Sequence, residues 1–455
     1  MTNSKSDIES PSKVESLGPV FNAPCGSVDH RIHRRLFLQG TLAGAASMAS
    51  FQALFSSPSF AESAKKRGKK CILLWLCGAP SQFETWDPKP GRPSSGPFGT
   101  TQTNIPGLHI SDLMPKCATI MDRLSLIRSM STDQNEHFQA IDLLTRGEPQ
   151  RPPFTRPLMG SVLAKHLGQL DSPMPQFVLL DPCPEGNEFK AFKDANWAGW
   201  LGAEYGPVRF GGQYKIDNAQ LPPGLEAADH ADREAVRAFL SKKFENDRKA
   251  ASVSSYNAVF ERVKGLMQAA PLFDLNALPQ SDRDRYGPGT FGLHTLLARH
   301  LIENGTTFAM VANGMPWDCH VLNHETHQML VPELDRIVYE LVQDLTERQM
   351  LDDTLVLIMG EFGRTPWLNE ARGRDHYAKA WSMAMIGCGI KPGVVYGATD
   401  ADGIEVSENP IDQRRLFATI YQALGLDPHE EYVLPDFPSF YRVEQSAEPV
   451  QELLA

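Results

Sequence analysis

Nowhere in the 455 residues do two cysteines stand in a CxxC pair; the seven present (Cys25, Cys71, Cys77, Cys117, Cys183, Cys319 and Cys388) are scattered. That argues against a zinc ribbon and against a disulfide-dense scaffold. Basic runs are scarce too. The longest is KKRGKK, and Lys plus Arg number 44 against 55 Asp plus Glu, a net charge of -11. Binding a phosphate backbone needs a basic face, so nucleic acid is not an expected partner, and adsorption to anionic membranes is disfavoured. The chain has no GxxxxGK[ST] loop to cradle phosphates and no GxSxG elbow around Ser81 or Ser131 to make a serine nucleophile. An unbroken apolar run of the roughly 20 residues that span a bilayer is also missing, and no stable membrane insertion is expected.

What is present is an ordinary globular composition, 42% hydrophobic and 22% charged, behind an unusual first segment. His33-Arg34-Arg35-Leu36-Phe37 precedes an uncharged, Ala- and Ser-rich stretch that closes on Ser59-Phe60-Ala61. Paired arginines, a weak apolar core and small residues two apart, in that order, resemble a twin-arginine signal with cleavage after Ala61. Residues 1-61 are therefore expected to address the protein to the twin-arginine export machinery and a periplasmic or other extracytoplasmic location. Residues 62-455 are expected to form a single domain.

In that domain, short apolar runs (71-76, 124-127, 177-180, 307-312, 354-359 and 382-386) alternate with amphipathic stretches (157-167, 231-244, 254-269, 290-303, 325-349 and 412-424). Buried strands alternating with helices predict an α/β fold with a largely parallel central sheet and helices on both faces. The Gly- and Pro-rich segments 87-107 and 181-224 read as long surface loops.

Ligands of open parallel sheets sit beyond the carboxyl ends of the strands, so the residues after each strand carry the candidates. After 307-312 come Asp318, His320, His324 and His327, metal-type ligands within ten residues. His324 and His327 fall at the start of a helix, where a capping or surface position serves equally well. The strand 354-359 ends in Gly-Glu361-Phe-Gly-Arg364, a carboxylate with glycine freedom on both sides and a guanidinium fork suited to phosphate, sulfate or carboxylate. Asp375-His376 offers a ligand beside an orienting carboxylate. Cys319 is expected to be a small filler in its loop.

The blocks GAPSQFETWDPKP, NEHFQAIDLLTRGEP, WDCHVLNH, LDDTLVLIMGEFGRTP, GRDHYAKAWSMAMIGCGIKPGVVYGATDADG and LFATIYQALGLDP resemble the bacterial domain-of-unknown-function 1501 family, often exported by the twin-arginine route. That family is similar in fold to the alkaline phosphatase and sulfatase superfamily. The resemblance implies an alkaline phosphatase-like domain with a divalent metal (zinc, manganese or calcium) on Asp318, His320, Glu361 and His376. It implies further that Asp375 orients His376 and that Arg364 holds an oxyanion. Phe362 stands where the superfamily has a histidine ligand. Asn135-Glu136-His137 stands where a hydroxyl or thiol nucleophile is expected, so His137 as nucleophile and direct attack by water are both open. The implied function is a metal-dependent hydrolase acting on anionic small-molecule or polysaccharide esters, sulfate or phosphate. The alternative is a cell-envelope binding protein that keeps the scaffold without turnover.

Overall fold

In the computed structural model, residues 68-150, 154-181, 197-211, 227-248, 260, 262-433 and 439-455 are described. The twin-arginine segment and its boundary lie outside them. Eight strands form the central sheet: β1 (Lys70–Trp75), β2 (Leu124–Met130), β3 (Phe177–Asp181), β4 (Val208–Gly211), β5 (Phe308–Ala312), β6 (Thr354–Met359), β7 (Trp381–Gly387) and β8 (Val395–Tyr396). Their order is β8-β2-β7-β6-β1-β5-β3-β4. β7 runs antiparallel to both neighbours, and the remaining pairings are parallel. The expected largely parallel sheet is what the chain builds.

The reason can be followed in β1, the central strand. Cys71, Leu73 and Trp75 point to one face and pack with α1 (His137–Arg146), α2 (Met159–His166) and α6 (Gln413–Ala423). Ile72, Leu74 and Leu76 point to the other and pack with α4 (Thr290–Glu303) and α5 (Asn323–Glu347); α3 (Ala227–Arg248) follows β4 in the chain. A strand covered on both faces must be apolar at every position, which is why it reads as a continuous hydrophobic run. Two strands of the central sheet, both at its edges, escaped the sequence reading: β8, only two residues long, and β4. β4 lies inside the segment 181-224, expected to be a loop, and adds an edge strand beside β3. Its four residues, VRFG, between a Pro and a Gly, are too short and too mixed to stand out from a turn. Among the described residues no helix is long and apolar enough to cross a membrane.

Helix α5 starts beneath the strand ends and fixes the two ambiguous histidines. His327 is fully buried; its Nδ1 donates to the carbonyl of Asn323 (2.9 Å), and its Nε2 accepts the amide of Ser81 (2.9 Å). It is a neutral brace rather than a ligand. Burial depresses its pKa to about 4, outweighing the opposing charge of Glu84. The unfolded chain therefore binds a proton that the folded chain refuses between pH 6.5 and 4. Stability should be full above pH 6.5 and fall by on the order of 3 kcal/mol on acidification to pH 4. Urea midpoints measured across that range should drop less in His327→Gln than in the parent; equal slopes would refute the assignment. His324 instead sets Nδ1 at 3.2 Å from the buried carboxylate of Glu84, which Arg374 also holds at 3.0 Å.

Candidate metal centre

Three loops beyond the carboxyl ends of β5, β6 and β2 meet at one point. The β5 loop delivers Asp318 and His320, and it lies so close to the β1 loop that a Cβ on Gly78 would sit 2.4 Å from the amide of Asp318. Only glycine fits there, and its φ of +95° requires it as well. A hairpin of Gly363–Arg364 and His376–Tyr377 delivers His376 opposite Arg364. The loop after β2 ends in the first residue of α1, His137.

Asp318 Oδ1 is the hub. The Nε2 atoms of His137, His320 and His376 lie 3.4, 3.1 and 3.3 Å from it, and those of His320 and His376 lie 2.9 Å from each other. His137, Asp318 and His376 offer ligand atoms all within 4.8 Å of one another. Each imidazole is tied by its other nitrogen: His137 Nδ1 to Glu361 Oε1 (2.7 Å), His320 Nδ1 to Asp375 Oδ1 (2.8 Å) and His376 Nδ1 to the carbonyl of Asn135 (2.6 Å). Those partners are all acceptors, so the proton of each neutral ring sits on Nδ1 and the Nε2 lone pair faces the hub. Phe362, buried, walls the cluster, its ring 5.0 Å from that of His137 and 4.5 Å from that of His376.

Converging lone pairs and a carboxylate repel one another unless a cation stands among them. At His137 a proton can take that place: burial works against its charge, but Asp318 and Glu361 on its two nitrogens outweigh it and raise its pKa to about 9, so its Nε2 offers a lone pair to a metal only by giving up that proton. Burial likewise opposes the charge of Asp318, and His137, His376 and Arg364 overcome it, holding that carboxyl far below the usual range. The Nε2 of His137 is buried without a hydrogen-bond partner among the described residues. Three nitrogens and one oxygen, each nitrogen tethered on its far side, match the way metal-ligating histidines are held. The set suits zinc or manganese; calcium, which takes oxygen ligands, fits poorly.

Four expected roles shift in this geometry. Glu361 does not face the hub: its Oε1 takes the amide of Gly78 (2.8 Å) as well as His137, and its side chain is fully buried. His137 stands in the ring of nitrogens in place of Glu361, and not apart from it as a nucleophile. Asp375 orients His320 rather than His376. Arg364, fully buried, spends its guanidinium on protein oxygens: Nε on the carbonyl of Ala79 (2.9 Å), Nη1 on that of Arg374 (3.0 Å), and Nη2 on the carbonyl of Gly78 and on Asp318 Oδ1 (2.7 Å). It braces the hub: four of its five N–H donors are spent on protein oxygens and the group is fully buried, out of a substrate oxyanion's reach. Cys319 is the expected filler: burial pushes its thiol up to about 11, and its Sγ lies 3.6 Å from the carbonyl of Pro316.

These exchanges were beyond spacing arguments because they depend on which nitrogen of each ring meets which oxygen. The carbonyl of Asn135 could not have been found from side-chain types at all. One consequence is quantitative: Glu361→Gln keeps an acceptor near His137 but removes the charge, and should weaken metal binding about 10- to 100-fold without unfolding the chain. Calorimetric titration of apo-protein with zinc checks this; parent-like affinity would contradict it.

No curated protein matches the chain. Among solved structures it is similar to Ps i-CgsB in complex with k-i-k-neocarrahexaose (10% identity, TM-score 0.38, 79% of this chain and 72% of that chain). It is also similar to the lipoteichoic acid synthase LtaP from Listeria monocytogenes (11%, TM-score 0.36, 79% and 72%). A protein in the alkaline phosphatase superfamily from Vibrio parahaemolyticus matches at 12%, with a TM-score of 0.36 over 79% and 66%. Residues 68–454 match the family described as Protein of unknown function (DUF1501), and they include every residue of the hub and its tethers. The chain belongs to the DUF1501 family.

Proposed function

We propose that the chain is an exported, metal-dependent hydrolase of anionic esters, sulfate or phosphate, with one divalent ion held by His137, Asp318, His320 and His376. The observation that carries this reading is the tether on each imidazole, which aims three lone pairs at one carboxylate oxygen. When bound, a divalent ion supplies Lewis acidity toward an ester oxygen and toward water. The protein's part is to hold the ligands without reorganisation. Arg364 fixes Asp318, Glu361 fixes His137, Asp375 fixes His320, Asn135 fixes His376, and the Phe362 ring packs against two of the imidazoles. Attack by water suits the site better than attack by a side-chain hydroxyl, because the turn before α1 reads Asn135-Glu136-His137 and Ser81 is fully buried. Placement outside the cytoplasm rests on Arg34-Arg35 and the stretch that follows them.

A second reading, an envelope protein that binds without turnover, is favoured by one observation. Arg364 and Arg374 are both buried and bonded to protein oxygens, so neither guanidinium is open to an anion, and the exposed Arg372 is paired with Glu325. Aryl sulfates and aryl phosphates offered to the purified mature chain separate the two. Turnover that a chelator abolishes and zinc or manganese restores is the expected result. A metal-loaded protein silent on both ester series would overturn the hydrolase reading and leave the binding one.

A further inference from the structure

Helix α3 is exposed along most of its length. Among its described side chains only Glu234, Arg237 and Ser241 are half-buried, and spacings of three and four put them on one face. That face is the inward one: Arg237 pairs with Glu234 (3.0 Å), and its guanidinium lies 4.3 Å from the centre of the Phe260 ring. The far side carries Val236, Phe239 and Leu240, which are 59%, 69% and 57% exposed. At 3.6 residues per turn these three fall within about 100° of the helix circumference. Apolar side chains scattered singly over a surface are ordinary, but three on one stripe of a helix with no buried position among its described side chains mark a contact surface.

The charges on the same stripe say what it meets. Asp232 precedes Val236 by four residues and Lys243 follows Phe239 by four, so both lie on the stripe, and both are exposed. Neither has an ion-pair partner among the described residues. An antiparallel copy of α3 that sets Val236 on Phe239 therefore sets Asp232 on Lys243, and two-fold symmetry does so twice. Lys242, opposite Arg233 in this register, lies off the stripe. A parallel copy would instead set Asp232 on Asp232 and Lys243 on Lys243. An anionic bilayer is a poorer match, because the helix carries five acids against five bases and nothing draws it to negative charge.

We infer that α3 is a self-association surface on which two copies of the chain pair antiparallel, about a two-fold axis between Arg237 and Ala238. Hydrophobic contact at the centre of the stripe supplies the attraction, and the Asp232–Lys243 pairs at its ends fix direction and register. Three large apolar side chains from each copy make a modest interface, so association in about the micromolar range is expected. The inference is independent of the metal centre and of the hydrolase reading.

Sedimentation velocity of the purified mature chain over a concentration series at low ionic strength tests it, beside flotation with phosphatidylcholine–phosphatidylglycerol vesicles. A monomer–dimer equilibrium without vesicle binding is expected. Phe239→Glu and Lys243→Asp should each weaken the dimer at least about tenfold, and Asp232→Lys combined with Lys243→Asp should restore it. All three side chains are exposed, so the variants should fold, and far-UV spectra like the parent's check that. A chain that stays monomeric throughout the series, a dimer indifferent to Phe239→Glu, a double reversal no better than Lys243→Asp alone, or vesicle binding in place of self-association would each overturn the proposal.

Discussion

Replacing His376 with alanine is expected to lower the affinity for zinc or manganese by more than about 100-fold, because removing an orienting partner alone already costs 10- to 100-fold and this substitution removes the ligand itself. His376 is the member of the cluster that lies close to everything else in it. Its Nε2 is 2.9 Å from that of His320 and 3.3 Å from Asp318, and its ring packs on those of His137 and Phe362. Because it sits on a two-residue hairpin strand outside the central sheet and its side chain is partly exposed, the fold should survive, and a far-UV spectrum like the parent's would separate lost binding from lost structure. Calorimetry of apo-protein should then rank the variants, His376→Ala worse than Glu361→Gln and Glu361→Gln worse than the parent. Equal affinities would show that the imidazoles are not ligands.

The second large effect belongs to Arg364. Its alanine variant is expected to lose about 4 kcal/mol or more of stability, enough to unfold or fail to accumulate, since a fully buried guanidinium leaves behind three main-chain carbonyls and the Asp318 carboxylate without their donors. Lysine should not rescue it, because one ammonium cannot reproduce a planar fork that reaches Ala79, Gly78, Arg374 and Asp318 at once. Chemical denaturation of Arg364→Ala and Arg364→Lys measures this directly. A variant as stable as the parent but unable to turn over esters would restore Arg364 to the oxyanion role that the sequence suggested and the geometry denies.

Much of this architecture could be read from residues alone because a strand buried on both faces leaves an unmistakable apolar run. β1, β5, β6 and β7 announced themselves in that way, and the loops after them carried Asp318, His320, Glu361 and His376. β4 was missed because a short edge strand buries too little to impose a pattern. The candidate ligands were legible as types. Their division into those that face the hub and those that stand behind it was not, because Glu361 and His137 differ only in which side of a 2.7 Å hydrogen bond they occupy. His324 and His327 show the same limit from the other direction: both have a ligand's chemistry, and both are consumed by Glu84 and by the Ser81 amide before any ion is considered.

Whether three histidines and one aspartate hold a metal is decided by anomalous diffraction from crystals of the purified chain grown with zinc or manganese. A single strong peak is expected, enclosed by the Nε2 atoms of His137, His320 and His376 and Asp318 Oδ1, with Glu361 one residue back from it. A map with no peak there, or a peak bound by Glu361 while His137 points away, would contradict it.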